Sequence, residues 1–257
     1  MNNGLIFGSI DVAQIAIWLF WAFFAGLIYY LHREDKREGY PLEDADASPY
    51  SLREGFPAMP TPKTYLLTHG GTVTKPAPWV PDERPPLNAK PAGPWDIGTL
   101  VPIGNPLLAG VGPGSWANRP DYPDLTLAGI PKIVPLRVSP HHKVSAHGPD
   151  PRGKDVLGAD RVSGGIVTDL WVDRSDELFR YYEIEVKGGR HVLVPATFCT
   201  VAGDGTLTVR AILGEQFVDA PFVRNPDQIT LLEEEKVVAY YGAGTLYATP
   251  ARQEPFL

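Results

Sequence analysis

Hydrophobic and polar residues are distributed unevenly along the chain. Residues 12–31 (VAQIAIWLFWAFFAGLIYYL) carry no charge, and Gln14 is their only strongly polar side chain. A helix of this length rises about 30 Å, the thickness of the hydrocarbon core of a bilayer. In lipid, a single segment can satisfy its own backbone hydrogen bonds only as a helix. The pattern therefore predicts one transmembrane helix over residues 12–31.

The residues that flank this run predict its orientation. Residues 1–11 contain no Lys or Arg, and no small-residue cleavage site follows the run, so we expect a retained anchor rather than a cleaved signal peptide. Basic residues follow the run, which predicts that the rest of the chain is cytoplasmic and that residues 1–11 lie on the opposite side of the membrane. The residues predicted at the membrane interface are Tyr29, Tyr30, Arg33, Lys36 and Arg37.

Ala22 and Gly26 form a small-xxx-small pair within the predicted helix. This spacing lets a second helix approach closely. A lipid-facing helix with incidental small residues explains the same pattern, so both interpretations stay open at this point.

The segment 32–154 has a different character, because 22 of the 27 prolines lie between Pro41 and Pro151. Proline removes a backbone donor and disfavours helix at the preceding residue, so regular elements here must be short. Large apolar residues nevertheless recur throughout, for example Trp79, Trp95 and Trp116. We expect an extended, ordered cytoplasmic segment whose apolar side chains are covered by a larger surface.

Strand patterns dominate the predicted domain 155–257. Residues 166–172 are β-branched and aromatic, and residues 181–186 alternate apolar with acidic side chains. A turn at 187–190 leads into a strand at 191–194, and a second hairpin joins 197–202 to 206–212. These short strands predict a small antiparallel barrel or sandwich. A short helix is predicted over 230–241, with Gly242 ending it.

Composition and motifs exclude several classes of function. With 23 basic and 30 acidic residues and no long basic stripe, nucleic acid is not an expected partner. The single cysteine, Cys199, cannot form an internal disulfide and is typical of a small core residue in a reducing compartment. No phosphate-binding glycine loop, G-x-S-x-G elbow or H-E-x-x-H zinc motif is present. We therefore predict neither a catalytic nor a metal-binding residue.

Two clusters of titratable residues remain. The histidines at 141, 142 and 147 lie in a Pro/Gly-rich stretch, where a solvated loop explains them better than a metal site. The second cluster is acidic, and neighbouring carboxylates raise one another's pKa and can pass protons near neutral pH. A solvated sheet edge is the competing interpretation. The acidic residues are Asp169, Asp173, Asp176, Glu177, Glu183 and Glu185, with Arg174 and Arg180 among them.

Several stretches, in order along nearly the whole chain, resemble one known family. They are GLIYYL (26–31), REGYPLE (37–43), VGPGSW (111–116), DLWVDRSDELFRYYE (169–183), ITLLEEEK (229–236) and GAGTLYA (242–248). Together they are similar to the H subunit of the purple-bacterial photosynthetic reaction centre.

The resemblance implies a single-pass subunit of the inner (intracytoplasmic) membrane with a cytoplasmic PRC barrel. Such a subunit binds no pigment itself and is not an enzyme. It covers the cytoplasmic face of the L and M subunits, which hold bacteriochlorophyll, bacteriopheophytin, quinones and a non-haem iron. A cytochrome subunit, the surrounding antenna and membrane lipids are further implied partners.

The resemblance also implies a route for protons to the secondary quinone. The matched motif gives this role to Asp173, Asp176 and Arg180, with Glu177 as a substitute for Asp176 because two acidic residues are adjacent. Weaker candidates, by position and chemistry, are Asp169, Asp124 and His69.

One stretch departs from the family pattern. Some members carry an aspartate and two histidines between the positions of Asp124 and Lys132, at the surface where protons enter, whereas this chain reads LTLAGIP there. Asp124, His141 and His142 are hypothetical substitutes.

Two other functions compete with this one. A membrane-anchored β-barrel could dock a soluble partner, and an anchored hydrolase could use the acidic cluster. The matched anchor and proline-rich segment argue against the first, since a generic barrel would need neither. The second lacks a nucleophile or a metal constellation.

Overall fold

A computed structural model describes residues 5–7, 10–40, 55–68, 70–77, 87–93 and 100–253. Contacts between residues divide the chain into two compact units, Met1–Arg84 and Pro85–Leu257. The sequence-based boundaries at residues 11, 31 and 154 remain predictions.

The first unit is built around one long helix. Strands β1 (Leu5–Phe7) and β2 (Ile10–Asp11) form a short antiparallel pair before helix α1 (Val12–Asp35). Asp11 caps α1 by accepting a hydrogen bond from the Gln14 backbone at 2.8 Å. The helix is long and apolar enough to cross a membrane, and none of its residues is buried within the chain. The predicted N-terminal apolar helix is confirmed, and it continues to Asp35.

A hairpin follows α1 in the same unit. Strand β3 (Lys63–Leu66) pairs antiparallel with β4 (Thr72–Lys75). Lys36 and Arg37 are only 2% and 7% exposed. Lys36 donates a hydrogen bond to the carbonyl of Pro57, and Arg37 donates to the carbonyls of Thr61 and Lys75. The position of both residues at the membrane interface stays a prediction.

In the second unit, short elements precede the main sheet. Strands β5 (Ala89–Pro91) and β6 (Leu100–Pro102) pair with each other. Single 3-10 turns at Pro106–Leu108 and Gly112–Gly114 then pack against the C-terminal helix. Leu107, Ala109 and Val111 are buried there. Part of the proline-rich segment thus contributes directly to the core.

The main sheet has seven strands: β7 (Ile133–Pro135), β8 (Asp155–Leu157), β9 (Ser163–Asp173), β10 (Leu178–Glu185), β11 (His191–Pro195), β12 (Cys199–Val201) and β13 (Leu207–Val209). Six follow the order β11-β10-β9-β8-β13-β12, and β7 also pairs with β9. All pairs are antiparallel except β8 with β13. The predicted mainly-β barrel is confirmed as a half-barrel.

The predicted second hairpin is shorter than expected. A 3-10 turn at Ala196–Phe198 occupies the beginning of the predicted strand 197–202, so β12 starts only at Cys199. Strand β13 ends at Val209, before the predicted end at residue 212. A 3-10 turn therefore replaces the start of the first predicted strand, and irregular backbone replaces the end of the second.

Helix α2 (Leu231–Tyr247) closes the core of the barrel. A capping box starts it: Glu233 N donates to Thr230 Oγ1 at 3.1 Å, and Thr230 N donates to Glu233 Oε2 at 3.0 Å. Tyr240 and Tyr241 pack with Trp171 and Phe217 in the buried core.

The prediction that Gly242 ends this helix is wrong. A Cβ at Gly242 would lie 2.5 Å from the carbonyl oxygen of Pro113, so the missing side chain permits close packing. Gly242 therefore continues the helix, because its small size is needed for contact rather than for a turn.

Candidate functional site

Strand register brings a lysine to the predicted acidic residues. Ile133 pairs with Asp173, and Arg174 N donates to the Lys132 carbonyl at 2.9 Å. The Lys132 Nζ consequently lies 3.5 Å from Asp173, 3.8 Å from Asp176 and 4.0 Å from Asp124. Because three carboxylates share one ammonium, negative charge is in excess. We call these four residues the Lys132 cluster.

Asp173 is the buried member of the Lys132 cluster, with 1% of its side chain exposed. Its Oδ1 accepts backbone hydrogen bonds from Ser175 at 2.9 Å and Asp176 at 3.1 Å. A buried carboxylate requires such donors or an opposite charge. Asp173 thus fixes the β9–β10 turn while its other oxygen faces Lys132.

The β9–β10 turn separates the two adjacent acidic residues. Asp176 is about half exposed and faces Lys132. Glu177 adopts a left-handed backbone with φ of 53°, and it makes no ion pair among the described residues. The geometry favours Asp176 over Glu177 as the acidic group of the cluster.

Asp124 reaches Lys132 through the stretch that departs from the family pattern. Leu125 and Pro131 form a β-bridge, and Lys132 N donates to the Asp124 carbonyl at 2.8 Å. The tight turn between them therefore places the half-exposed Asp124 carboxylate beside the ammonium.

A cleft of about 250 Å³ adjoins the Lys132 cluster. Arg180 lines it, at the position where the β9–β10 register shifts between Phe179 and Tyr181. Such an irregularity redirects a side chain relative to its strand. Glu234, from α2, also lines the cleft.

Tyr181 OH donates to Glu234 Oε2 at 2.8 Å in this cleft. Burial raises the pKa of Glu234, against the lowering effects of the Tyr181 hydrogen bond and the Arg180 charge. Burial and the neighbouring Glu234 charge also raise the pKa of Tyr181. Glu234 is thus a carboxyl group that retains its proton more readily than an exposed one.

Asp169 belongs to a second, separate cluster. Arg137 bridges Asp169 at 3.1 Å and Glu183 at 2.7 Å, and it also pairs with Asp227. Trp171 Nε1 donates to Glu183 Oε2 at 2.8 Å, and His191 Nδ1 lies 2.9 Å from Glu183 Oε1. This cluster lies in a groove of about 890 Å³. Its carboxylates are fully paired, which is typical of a structural network.

The other predicted residues fall elsewhere. His69 lies outside the described residues. His142 Nδ1 is 2.9 Å from Ser139 Oγ, and among described residues neither His141 nor His142 contacts the Lys132 cluster. Ala22 and Gly26 are exposed on α1, so their role in helix packing remains a prediction.

Sequence reasoning missed Lys132, Glu234 and Tyr181. Lys132 lies far from Asp173 in sequence, and only the β7–β9 register joins them. The raised pKa of Glu234 depends on burial, which a run of three glutamates does not indicate. In the described parts of the chain, no group of three His, Cys, Asp or Glu side chains could hold a metal ion.

The apolar anchor helix, the half-barrel and the short C-terminal helix define a membrane-anchored PRC-barrel protein. A family model described as PRC-barrel domain matches residues 145–216. A model described as photosynthetic reaction centre, H-chain N-terminal region, matches residues 4–138, more than half of the chain. The chain therefore belongs to the family of photosynthetic reaction-centre H chains. Members are generally non-catalytic structural subunits.

Proposed function

We propose that this chain covers the cytoplasmic face of the L and M subunits, stabilises the quinone sites and conducts protons to the secondary quinone. The observation that carries the proposal is the Lys132 cluster, in which one buried and two half-exposed carboxylates share one ammonium. The L and M subunits would supply the bacteriochlorophyll, bacteriopheophytin, quinones and non-haem iron, and this chain would bind none of them. The N-terminus would be periplasmic and the barrel cytoplasmic.

Exposed apolar side chains support the covering role. Leu127 is 88% exposed at the turn between Asp124 and Lys132, and Ile130 and Tyr122 nearby are also exposed. Apolar residues grouped beside a charged cluster are typical of a surface that a partner protein covers. A partner seated there would exclude bulk water from the Lys132 cluster.

The chemistry of the Lys132 cluster suits proton conduction. A doubly reduced quinone takes up two protons, and a covered site must receive them through fixed ionisable groups and ordered water. Asp176 and Asp124 are open to solvent, whereas Asp173 is buried, so the carboxylates form a gradient from surface to interior. The Lys132 ammonium faces all three carboxylates, and Glu234 adds a group with a raised pKa beside Asp124.

The test is the rate of the second electron transfer to the secondary quinone after two flashes, since this step is coupled to proton uptake. Asp176→Asn should slow it about tenfold or more, as loss of a positioned proton-transfer group does. The rate of electron transfer after the first flash should be unchanged. Glu177→Gln is the matched control, because Glu177 is adjacent in sequence but forms no ion pair with Lys132, and it should leave the rate unchanged. An unaltered second-flash rate in both Asp176→Asn and Asp173→Asn would refute proton conduction through this cluster.

A further inference from the structure

We propose that this chain makes a second contact with the lipid bilayer, in which Phe56 inserts into the interface beside the cytoplasmic end of α1. The partner is the lipid surface, and the anchoring element is the segment 55–61. The contact is independent of the proposed proton route.

The position of Phe56 relative to α1 carries the inference. The rings of Phe56 and Tyr29 lie 5.9 Å apart. Tyr29 is two residues from the end of the apolar run, or about 3 Å along the helix. Aromatic rings at that depth lie in the interfacial belt of a membrane protein. Phe56 is far away in sequence but lies at the same level.

Two buried cations hold the segment in place. Lys36 Nζ donates to the carbonyl of Pro57 at 2.6 Å. Arg37 donates to the carbonyls of Thr61 at 2.7 Å and Lys75 at 3.2 Å, while its other nitrogens hold Glu34. Because these contacts use backbone carbonyls, the path of residues 57–61 beside the helix end does not depend on the Phe56 side chain.

The Phe56 side chain itself is 82% exposed, although it is large and wholly apolar. Its contact with Tyr29 covers only a small part of it. Since α1 continues directly into the bilayer, the medium next to Phe56 at this level is the headgroup and acyl boundary. Lipid therefore covers the ring.

The depth of residue 56 can be measured with a fluorescent label on Phe56→Cys, using the intact complex in lipid nanodiscs. Burial raises the pKa of Cys199, the one native cysteine of this chain, to about 12, so an exposed cysteine introduced into this chain reacts in preference to it. Tyr29→Cys gives the reference for the interface. Glu38→Cys, an exposed polar position just beyond α1, is the matched control. Phospholipids brominated near the headgroup quench from the membrane, and iodide quenches from water.

We expect brominated lipid to quench the label at 56 within about twofold of the label at 29, and several-fold more than at 38. Quenching by iodide alone would overturn the proposal. Protection from both quenchers would also overturn it, because a partner protein would then cover Phe56.

A second variant tests the role of the buried cation. Lys36→Met removes the bond to Pro57, so lipid quenching at 56 should fall several-fold while quenching at 29 is retained. Unchanged quenching at 56 in both Lys36→Met and a Lys36→Met, Arg37→Met double variant would show that these cations do not position Phe56.

Discussion

Lys132 shows how the role of a residue depends on neighbours that are distant in sequence. Its ammonium faces Asp124 from a preceding turn and Asp173 and Asp176 from the end of β9. Asp173 ends β9 and Glu177 lies in the following turn, yet one is buried with several donors and the other has a left-handed backbone. Two acidic residues close together in sequence therefore have different structural environments.

The strained backbone of Glu177 gives the first prediction at the residue scale. A left-handed conformation costs a non-glycine residue about 1–2 kcal/mol, and glycine removes this cost. Part of the gain is offset because glycine has greater conformational freedom in the unfolded chain. Glu177→Gly should therefore raise the free energy of unfolding by up to about 1 kcal/mol. Chemical denaturation of the full chain in detergent measures this. Asp176→Gly, at a neighbouring residue without a positive φ, should give no gain, and an equal gain there would contradict the explanation.

Glu234 gives a prediction on pH. Its folded-state pKa is raised above 4.5 by burial, so the folded chain holds this proton more tightly than the unfolded chain. Stability from this group is present at low pH and is lost as the pH rises through the folded-state pKa. Glu234→Gln keeps an oxygen for Tyr181 but removes the titration. Between about pH 4 and pH 7, the melting temperature of the wild type should therefore fall relative to that of Glu234→Gln. A difference in melting temperature between the wild type and Glu234→Gln that stays constant with pH would contradict the role of Glu234.

At the scale of elements, α2 and the 3-10 turn at Gly112–Gly114 depend on small residues at their contact. Gly114 and Gly242 both lie where an added Cβ would meet a neighbouring atom at less than 3.0 Å. Helix propensity alone would favour alanine at 242 by about 1 kcal/mol. Close packing determines the residue instead.

Gly242→Ala should therefore destabilise the chain, despite the better helix propensity of alanine. Overpacking against the Pro113 carbonyl should lower the free energy of unfolding by about 1 kcal/mol or more. Gly203→Ala is the control, because a Cβ there meets nothing within 4 Å, and it should have little effect. A gain in stability in Gly242→Ala would mean that the helix and the turn separate easily.

The sequence predicted those elements whose signals are local. The apolar run of α1, the strand patterns of β9 to β11 and the acidic first turns of α2 are all short-range signals. It did not predict that Gly242 continues α2, because only the contact with Pro113 decides this. Likewise, the sequence predicted Lys36 and Arg37 at the membrane interface but did not predict that they bind carbonyls supplied by residues 57–75. Lys132 was missed for the same reason, since strand register rather than spacing brings it to Asp173.

For the whole molecule, the membership in the reaction-centre H-chain family joins an N-terminal membrane helix to a PRC barrel. The barrel alone does not distinguish a docking module from a reaction-centre subunit. The match over residues 4–138 favours the second, because it includes the anchor and much of the proline-rich segment. The proposed roles of the Lys132 cluster and Phe56 depend on that assembly and on the bilayer, respectively.

The most direct test of the account is the near-infrared absorption spectrum of the material that co-purifies with this chain in mild detergent. The account predicts bacteriochlorophyll and bacteriopheophytin bands that bleach reversibly on illumination, because the L and M subunits would accompany the chain. A preparation that stays colourless as the detergent is made gentler would contradict the proposed partners. The chain would then be an anchored barrel that docks some other protein, and its acidic cluster a solvated surface.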